Sequence, residues 1–317
     1  MKTLVIGNIY VDVIINIDKL PRTGDDILCK KQLITVGGCA YNVATILKNF
    51  DIDHDLLFPV GKGTYSDIIR KEVINNGYEI SIEDETGDNG YCMCLVESTG
   101  ERSFITVKGI EARYKKSWFD NINADEYENI YISGYEMQGD SGEIIIDWLS
   151  KLNNKNIFFA PGPRISSIDK DILYKILRLS PIIHINEEEA LGFTNKKSVV
   201  EAAREINKIT RNTVFITLGN DGVMCASNCE YRFVDSFETK VVNTIGAGDS
   251  HIGAVIAGYS MGYSIADCCY FANKIASKVV SIEQSRLEKR FFDINDYNIK
   301  EYITKSSACA SAAASAA

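Results

Sequence analysis

The stretch that most constrains this chain runs from Val241 to Gly258 and reads Val-Val-Asn-Thr-Ile-Gly-Ala-Gly-Asp-Ser-His-Ile-Gly-Ala-Val-Ile-Ala-Gly. A β-branched pair leads into Gly246-Ala247-Gly248, and Ile252, Val255, Ile256 and Tyr259 then recur at helical spacing, so a helix begins at the small residues. The first N–H groups of a helix have no internal partner and carry the positive end of its dipole. A Gly-Ala-Gly turn lets a phosphate or a developing oxyanion come close to them. Asp249 is the odd residue in such a site. It either takes a proton from a hydroxyl about to attack phosphorus or is a first-turn carboxylate favoured by the dipole, and local sequence leaves both open.

The rest of the chain alternates strands and helices. Residues 2–7 read as a strand ending in Gly7-Asn8, without the Gly-x-Gly-x-x-Gly of a dinucleotide fold. Strands over 11–17 and 27–36 flank a turn at Pro21, Gly24 and Asp25, and Gly37-Gly38 open a helix over 39–50 with Asn42 in its first turn. A strand over 56–60 and a helix over 66–75 follow, and the turn signal Asp88-Asn89-Gly90 introduces a second β-ribbon, 91–97 and 102–107. Alternation resumes with strands at 130–132, 157–159, 182–185, 214–217 and 223–226. Helices are expected at 143–152, 171–179, 198–209 and 265–281, with a last one at 294–303. Asn186 and Glu189 lie at the end of one of these strands, where open α/β sheets bind ligands, although acidic residues there also suit a helix start. Thr217-x-Gly219-x-x-Gly222 reads equally as a phosphate cradle or a hairpin turn. Residues 306–317 are low-complexity and set aside, and no period of repeat-protein length recurs.

Composition narrows the partners. The 317 residues carry a formal net charge of −9 and no long Lys/Arg run, which argues against nucleic acid or an anionic membrane surface. No apolar run is long enough for a membrane span and no signal-peptide layout opens the chain, so a cytoplasmic protein is expected. Nine cysteines at irregular spacings fit reduced thiols. Cys92/Cys94, Cys225/Cys229 and Cys268/Cys269 lack the spacing and the neighbouring histidines of a zinc cage.

With those motifs placed in order, residues 1–300 resemble the ribokinase or PfkB family of carbohydrate and nucleoside kinases. Gly37-Gly38 with Asn42 matches one family signature and 243–249 the other, and Asn186/Glu189 and Thr217/Gly219/Gly222 match motifs between them. The runs Val36-Gly-Gly-Cys-Ala40 and Ile245-Gly-Ala-Gly-Asp-Ser-His251 look most like a bacterial sugar kinase subgroup. The resemblance implies a three-layer α/β/α domain over 1–305 with a mostly parallel central sheet and a small β lid from inserts near 10–35 and 88–109. It implies an ATP- and Mg²⁺-dependent kinase acting on a hydroxyl, best a primary one, of a small sugar. The alternatives are a nucleoside kinase and, from another class, a non-catalytic sugar-binding protein. By the same resemblance Asp249 is the base and the N–H groups of Gly246, Ala247 and Gly248 stabilise the transferring phosphoryl group. Thr217, Gly219 and Gly222 would cradle ATP phosphates, Asn273 would lie near the adenine, Asn186 and Glu189 would hold Mg²⁺ through water, and Asp12, Gly38 and Asn42 would receive the sugar.

Three departures from the family pattern stand out. Asn243 replaces the first Asp of the second signature, as in some nucleoside-phosphorylating members. The Gly-Ala loop after the Asn273 helix is missing, which leaves a monovalent-cation site open. Ala160 stands where relatives often place Asp, and Arg164 after it reads as either an anion contact or a surface residue, the surface reading being favoured. Tyr10, Tyr41 and Tyr91 could stack on a nucleoside base, but half-buried lid positions are the plainer reading. Finally, a small sheet that cannot cover both its faces needs the substrate or a partner, so a homodimer through the lid is expected.

Overall fold

In the computed structural model of the chain, strand alternation divides the interior into two cores. The structure describes residues 1–227, 230–284, 286 and 287, so the helix expected at 294–303 lies outside the described residues. Elements follow in the order β1 (Thr3–Ile6), β2 (Tyr10–Asn16), β3 (Lys31–Gly37), α1 (Cys39–Asn49), β4 (His54–Leu57), β5 (Pro59–Val60), α2 (Thr64–Asn75), β6 (Ile82–Glu83), β7 (Tyr91–Val96) and β8 (Arg102–Val107). Then come β9 (Asn129–Ser133), α3 (Asp140–Leu149), β10 (Asn156–Ala160), α4 (Lys170–Arg178), β11 (Ile182–Asn186), α5 (Glu187–Thr194) and α6 (Val199–Thr210). The chain continues through β12 (Val214–Thr217), β13 (Val223–Ser227), β14 (Glu230–Val234), α7 (Ala247–Ser260) and α8 (Ile265–Val280).

The large sheet has eight strands in the order β14-β13-β12-β11-β10-β9-β1-β4. It is parallel from β4 to β12 and antiparallel over β12, β13 and β14. Side chains alternate across it. Tyr131, Phe158 and Phe215 face a core shared with α1, α7 and α8. Ile130, Ile132, Ile157, Phe159 and Ile216 face the other, shared with α3, α4 and α6. The continuous apolar strands are what a sheet covered on both faces requires. The expected layers, helix on sheet on helix, are therefore present.

A second sheet of four strands, in the order β3-β2-β7-β8, joins the two inserted ribbons. Its central pair, β2 and β7, is parallel, so the two inserts meet side by side rather than as separate hairpins. Details differ from the sequence expectations where backbone chemistry intervenes. The strand expected at 56–60 divides, because Pro59 has no N–H to continue the ladder, and Pro59–Val60 pairs instead with β6 in a two-stranded sheet. The third strand begins at Lys31, leaving Leu28 exposed. β14 was not anticipated; as an outer strand its residues are mostly exposed and lack an apolar run.

Phe158 is fully buried and meets the Tyr259 ring edge-on at 5.5 Å between centroids. Phe158→Ala is expected to cost about 3–5 kcal/mol, read by chemical denaturation; a loss below about 1 kcal/mol would contradict burial of the sheet between two helical layers.

Candidate active site

The N-termini of α1 and α7 converge beyond the ends of the parallel strands, where open α/β sheets bind ligands. Gly38 begins α1 with φ of 113°, and a Cβ there would drive into the Asn8 carbonyl. Gly246 begins α7 in the left-handed region at φ 78°, and its carbonyl accepts the Ser250 N–H at 2.9 Å. These two turns bring Asn42 and Asp249 together. The Asn42 Nδ2 donates to Asp249 Oδ2 at 2.8 Å, while Asn42 Oδ1 is buried without a partner. Burial pushes the Asp249 carboxyl above the usual carboxylate range, opposed by hydrogen bonds from Asn42 and the Cys39 thiol.

Asp12 projects from β2 of the small sheet toward the same place. Burial raises its carboxyl to about 6, with Arg286 opposing and Asp249 reinforcing the shift. It lines a 140 Å³ cavity with Asn243, Ile245 and Arg286, beneath Leu33 and Phe104. Asp12, Gly38, Asn42 and Asp249 thus form one polar cluster between the two sheets.

On the other side of α7 a 630 Å³ cavity is lined by Thr217, Gly219, Gly222, Ala247, Gly248 and Asn273. The Thr217–Gly222 segment is the turn between antiparallel β12 and β13, and it also forms a wall of this cavity. Asn273 lines the cavity, but its amide is already committed. Its Nδ2 donates to the Val234 and Asp235 carbonyls at 2.9 and 3.0 Å, and its Oδ1 faces His251 Nε2 at 3.1 Å. It therefore ties α8 to the segment after β14 and presents no free amide to a base.

Asn186 and Glu189 lie one strand from the cavity, since Asn186 pairs with Thr217, but they line a different one, of 700 Å³, with Lys170 and Tyr174. They engage each other as a capping box: Asn186 Oδ1 accepts the Glu189 N–H at 2.8 Å and Glu189 Oε2 accepts the Asn186 N–H at 3.1 Å. Among the described residues no group of three or more His, Cys, Asp or Glu could hold a metal. One carboxylate with a spare oxygen fits Mg²⁺ only in its usual manner, held through water and substrate phosphate.

Three groups were not singled out from sequence. The Cys39 thiol lies beside Asp249 and helps hold its carboxyl down. Arg102 Nη1, from the small sheet, donates to Asn243 Oδ1 at 3.0 Å. Glu136 is 3% exposed, accepts the Asn8 N–H at 3.0 Å and the Ser133 hydroxyl at 2.6 Å, and is raised by burial to about 7. Its position just past a parallel strand, in Ser133-Gly-Tyr-Glu136, was the signal available for it. The tyrosines offered as base platforms are committed elsewhere: Tyr41 is in the core against Tyr78, Tyr91 is stacked on Tyr65 at 4.4 Å, and Tyr10 is largely buried beside Glu111. Arg164, expected at the surface, is half-buried over the Tyr135 ring.

The model of the pfkB family carbohydrate kinases matches residues 2–289. The chain belongs to this family. Kinases of the family use ATP and Mg²⁺. The sugar kinase YegV of Escherichia coli K12 is 34% identical to this kinase over 281 residues, which is 87% of the chain and 88% of the relative. A nucleoside kinase of Thermoplasma acidophilum is 27% identical over 312 residues, 95% of the chain and 98% of the relative. The ribokinase of Thermotoga maritima shares the fold with a TM-score of 0.79 at 20% identity, over 92% of this kinase and 97% of that chain. Among the described residues no helix is long and apolar enough to cross a membrane.

Glu136 gives the site a pH signature. The unfolded chain releases this proton near the ordinary value of 4.5, whereas the native state holds it to about 7. Unfolding therefore releases a proton between those values, and stability falls as pH rises through that window. Glu136→Gln removes the penalty. The variant should melt at least about 2 °C above wild type at pH 8 and level with it at pH 4.5; the same offset at both values would contradict a buried, proton-holding Glu136.

Proposed function

We propose that this kinase transfers the γ-phosphoryl group of ATP to a hydroxyl, best a primary one, of a small sugar. The observation that carries this reading is the position of Asp249. It stands in the first turn of α7, with the 630 Å³ cavity against Ala247 and Gly248 on one side and the Asp12–Asn42 cluster on the other. ATP bound along Thr217, Gly219 and Gly222 would bring its γ-phosphate to the N–H groups of Gly246, Ala247 and Gly248. Donors held in place there stabilise charge as it develops on the transferring group. Mg²⁺, held through water by Asn186 and Glu189, would neutralise phosphate charge. Asp249, oriented by Asn42 and Cys39, takes the proton of the attacking hydroxyl. Its raised carboxyl is better matched to that task than an ordinary aspartate.

A polyol also satisfies what the protein leaves open. The buried Asn8 Oδ1 and Asn42 Oδ1 accept no hydrogen bond, and sugar hydroxyls are the donors they lack. The nucleoside alternative draws on the Thermoplasma relative, but Tyr41 and Tyr91 are spoken for by neighbouring rings. The non-catalytic alternative leaves the desolvated Asp249 without a purpose.

We further infer that the small sheet acts as a lid and pairs two copies of the chain. Leu33, Ile34, Phe104 and Ile105 on its outer strands β3 and β8 are each about half exposed, more apolar surface than a solvated sheet edge usually shows. Sedimentation should give a dimer at micromolar concentration, and Ile34→Lys with Ile105→Lys should shift it toward monomer. A fully active wild-type monomer would contradict the pairing.

Asp249→Asn tests the chemistry. The asparagine keeps an oxygen for the Asn42 amide but accepts no proton. Turnover in a coupled ADP assay should fall about 10²–10⁴-fold with little change in ATP affinity or melting temperature. Near-normal turnover together with a stability change of about 0.3–1 kcal/mol would make Asp249 a helix-dipole residue and remove the main support for this reading.

A further inference from the structure

Beside the 630 Å³ cavity, β11, α7, α8 and the segment that leaves β14 are joined by three buried side chains, two of which the proposed chemistry leaves without a role. His184 Nε2, from β11, lies 2.9 Å from His251 Nδ1, from α7, with the ring centres 4.9 Å apart. His251 Nε2 lies 3.1 Å from Asn273 Oδ1, from α8, and Asn273 Nδ2 bonds the Val234 and Asp235 carbonyls at the end of β14.

The direction of each bond follows from the acceptor at the far end. Two carbonyl oxygens call for a donor, so the Asn273 amide presents Nδ2 to them and leaves Oδ1 as an acceptor for His251. Burial pushes the His251 ring down to about 4, so it is neutral and its one proton sits on Nε2. Nδ1 is then an acceptor, and His184 Nε2 donates to it. Every N–H in the chain therefore points from the central sheet toward the end of β14. His251 also lines the cavity, but both its nitrogens are engaged, and it offers a nucleotide no hydrogen bond.

The chain ends on the least supported wall of that cavity. Ser236, Phe237, Glu238, Thr239 and Val241 line it. The ladder between β13 and β14 stops at Val234. Among the described residues, the backbone of 236–241 makes no hydrogen bond to other backbone. Ordering such a stretch costs conformational entropy that no ladder bond offsets, so its position rests on a few anchors. The Asn273 amide is the anchor at its start. The others are the Ser236 hydroxyl, which donates to the Asn220 carbonyl, and Phe237, which meets the Tyr270 ring edge-on at 5.0 Å.

We propose that His251 and His184 are positioning residues for the nucleotide: by orienting the Asn273 amide they hold the 236–241 wall where ATP binds, a role that rests on the kinase reading above, which assigns this cavity to ATP.

The test uses the full chain and His251→Phe, His251→Gln and His251→Asn variants. Calorimetry measures binding of the β,γ-imido analogue of ATP with Mg²⁺, and mass spectrometry follows trypsin cleavage after Lys240, inside the wall. Melts report folding, and ¹⁵N–¹H spectra report the tautomers of the three histidines. Phenylalanine keeps a flat ring and loses both bonds. Glutamine can place an amide N–H near the Nε2 position, whereas asparagine reaches only the Nδ1 position. His251→Phe is expected to weaken analogue binding about 3- to 10-fold, the range of a neutral hydrogen bond. Cleavage after Lys240 should quicken with it, as the wall opens more often. His251→Gln should restore most of both and His251→Asn little. His184→Leu should weaken binding in the wild-type background and add nothing to His251→Phe. The wild-type spectrum should show His251 protonated at Nε2 alone. Binding and cleavage unmoved by His251→Phe, or disturbed alike in all three His251 variants in step with melting temperature, would overturn the inference, as would a His251 proton on Nδ1. Additive effects of His184→Leu and His251→Phe would remove His184 from the chain. A folded wild type that binds no analogue at millimolar concentration counts against the ATP site instead, and the order of Lys240 cleavage with the His251 tautomer then decides the positioning role separately.

Discussion

The site depends on the hydrogen bond between Asn42 and Asp249, 2.8 Å long, which joins the first turns of two helices. Neither turn can form with ordinary side chains: Gly38 would collide with the Asn8 carbonyl, and Gly246 adopts a left-handed backbone. Lower down, Gly253 of α7 lies where a Cβ would come within 3.0 Å of the Ile46 side chain of α1, so the absence of a side chain sets how closely the helices approach. The closeness has a cost and a use. Desolvation raises the Asp249 carboxyl, and hydrogen bonds from Asn42 and Cys39 hold part of that rise in check. A carboxyl that is both dry and oriented results, which is what the proposed role of base requires.

Around this junction two arginines tie the small sheet to the segments that precede α7 and follow α8. Arg102 reaches from β8 to Asn243 Oδ1, which also accepts the Ile245 N–H at 3.0 Å, one residue before the Gly246 turn. The Asn243 Nδ2 donates to the Glu283 carbonyl at 2.7 Å. An aspartate, the residue usual at this point of the family signature, could not make that last bond, so the departure at Asn243 has a physical reason in this chain. Arg286 donates to the Val36 carbonyl and to Glu72 while lying 4.7 Å from the Tyr41 ring centre. The position of the small sheet is thereby linked to the segment that leads into the Gly246 turn.

Much of this was legible in the residues, and the illegible part has a common cause. Apolar runs such as Ile182–Ile185 announce strands buried on both faces, and the Gly-Gly and Gly-Ala-Gly turns announce helix starts. Local pattern does not report which distant turns meet. Sequence left Arg164 between an anion contact and a surface residue; only the pairing of β9 with β10 brings the Tyr135 ring to it. Asn273 lines the 630 Å³ cavity, but the engagement of its amide by the exit of β14 was not legible, because that strand is too polar to be seen by hydropathy. Glu136 is one carboxylate among many in sequence, and its burial is a property of the packed site.

The most direct test of the central claim, that the α7 start and Asp249 together form the phosphoryl-transfer site, is a structure with ADP, aluminium fluoride and an acceptor sugar. The fluorides are expected within hydrogen-bonding distance of the backbone N–H groups of Ala247 and Gly248, with the acceptor hydroxyl in line and within about 3 Å of the Asp249 carboxylate. A metal fluoride bound away from the start of α7, or an acceptor hydroxyl beyond reach of Asp249, would contradict it.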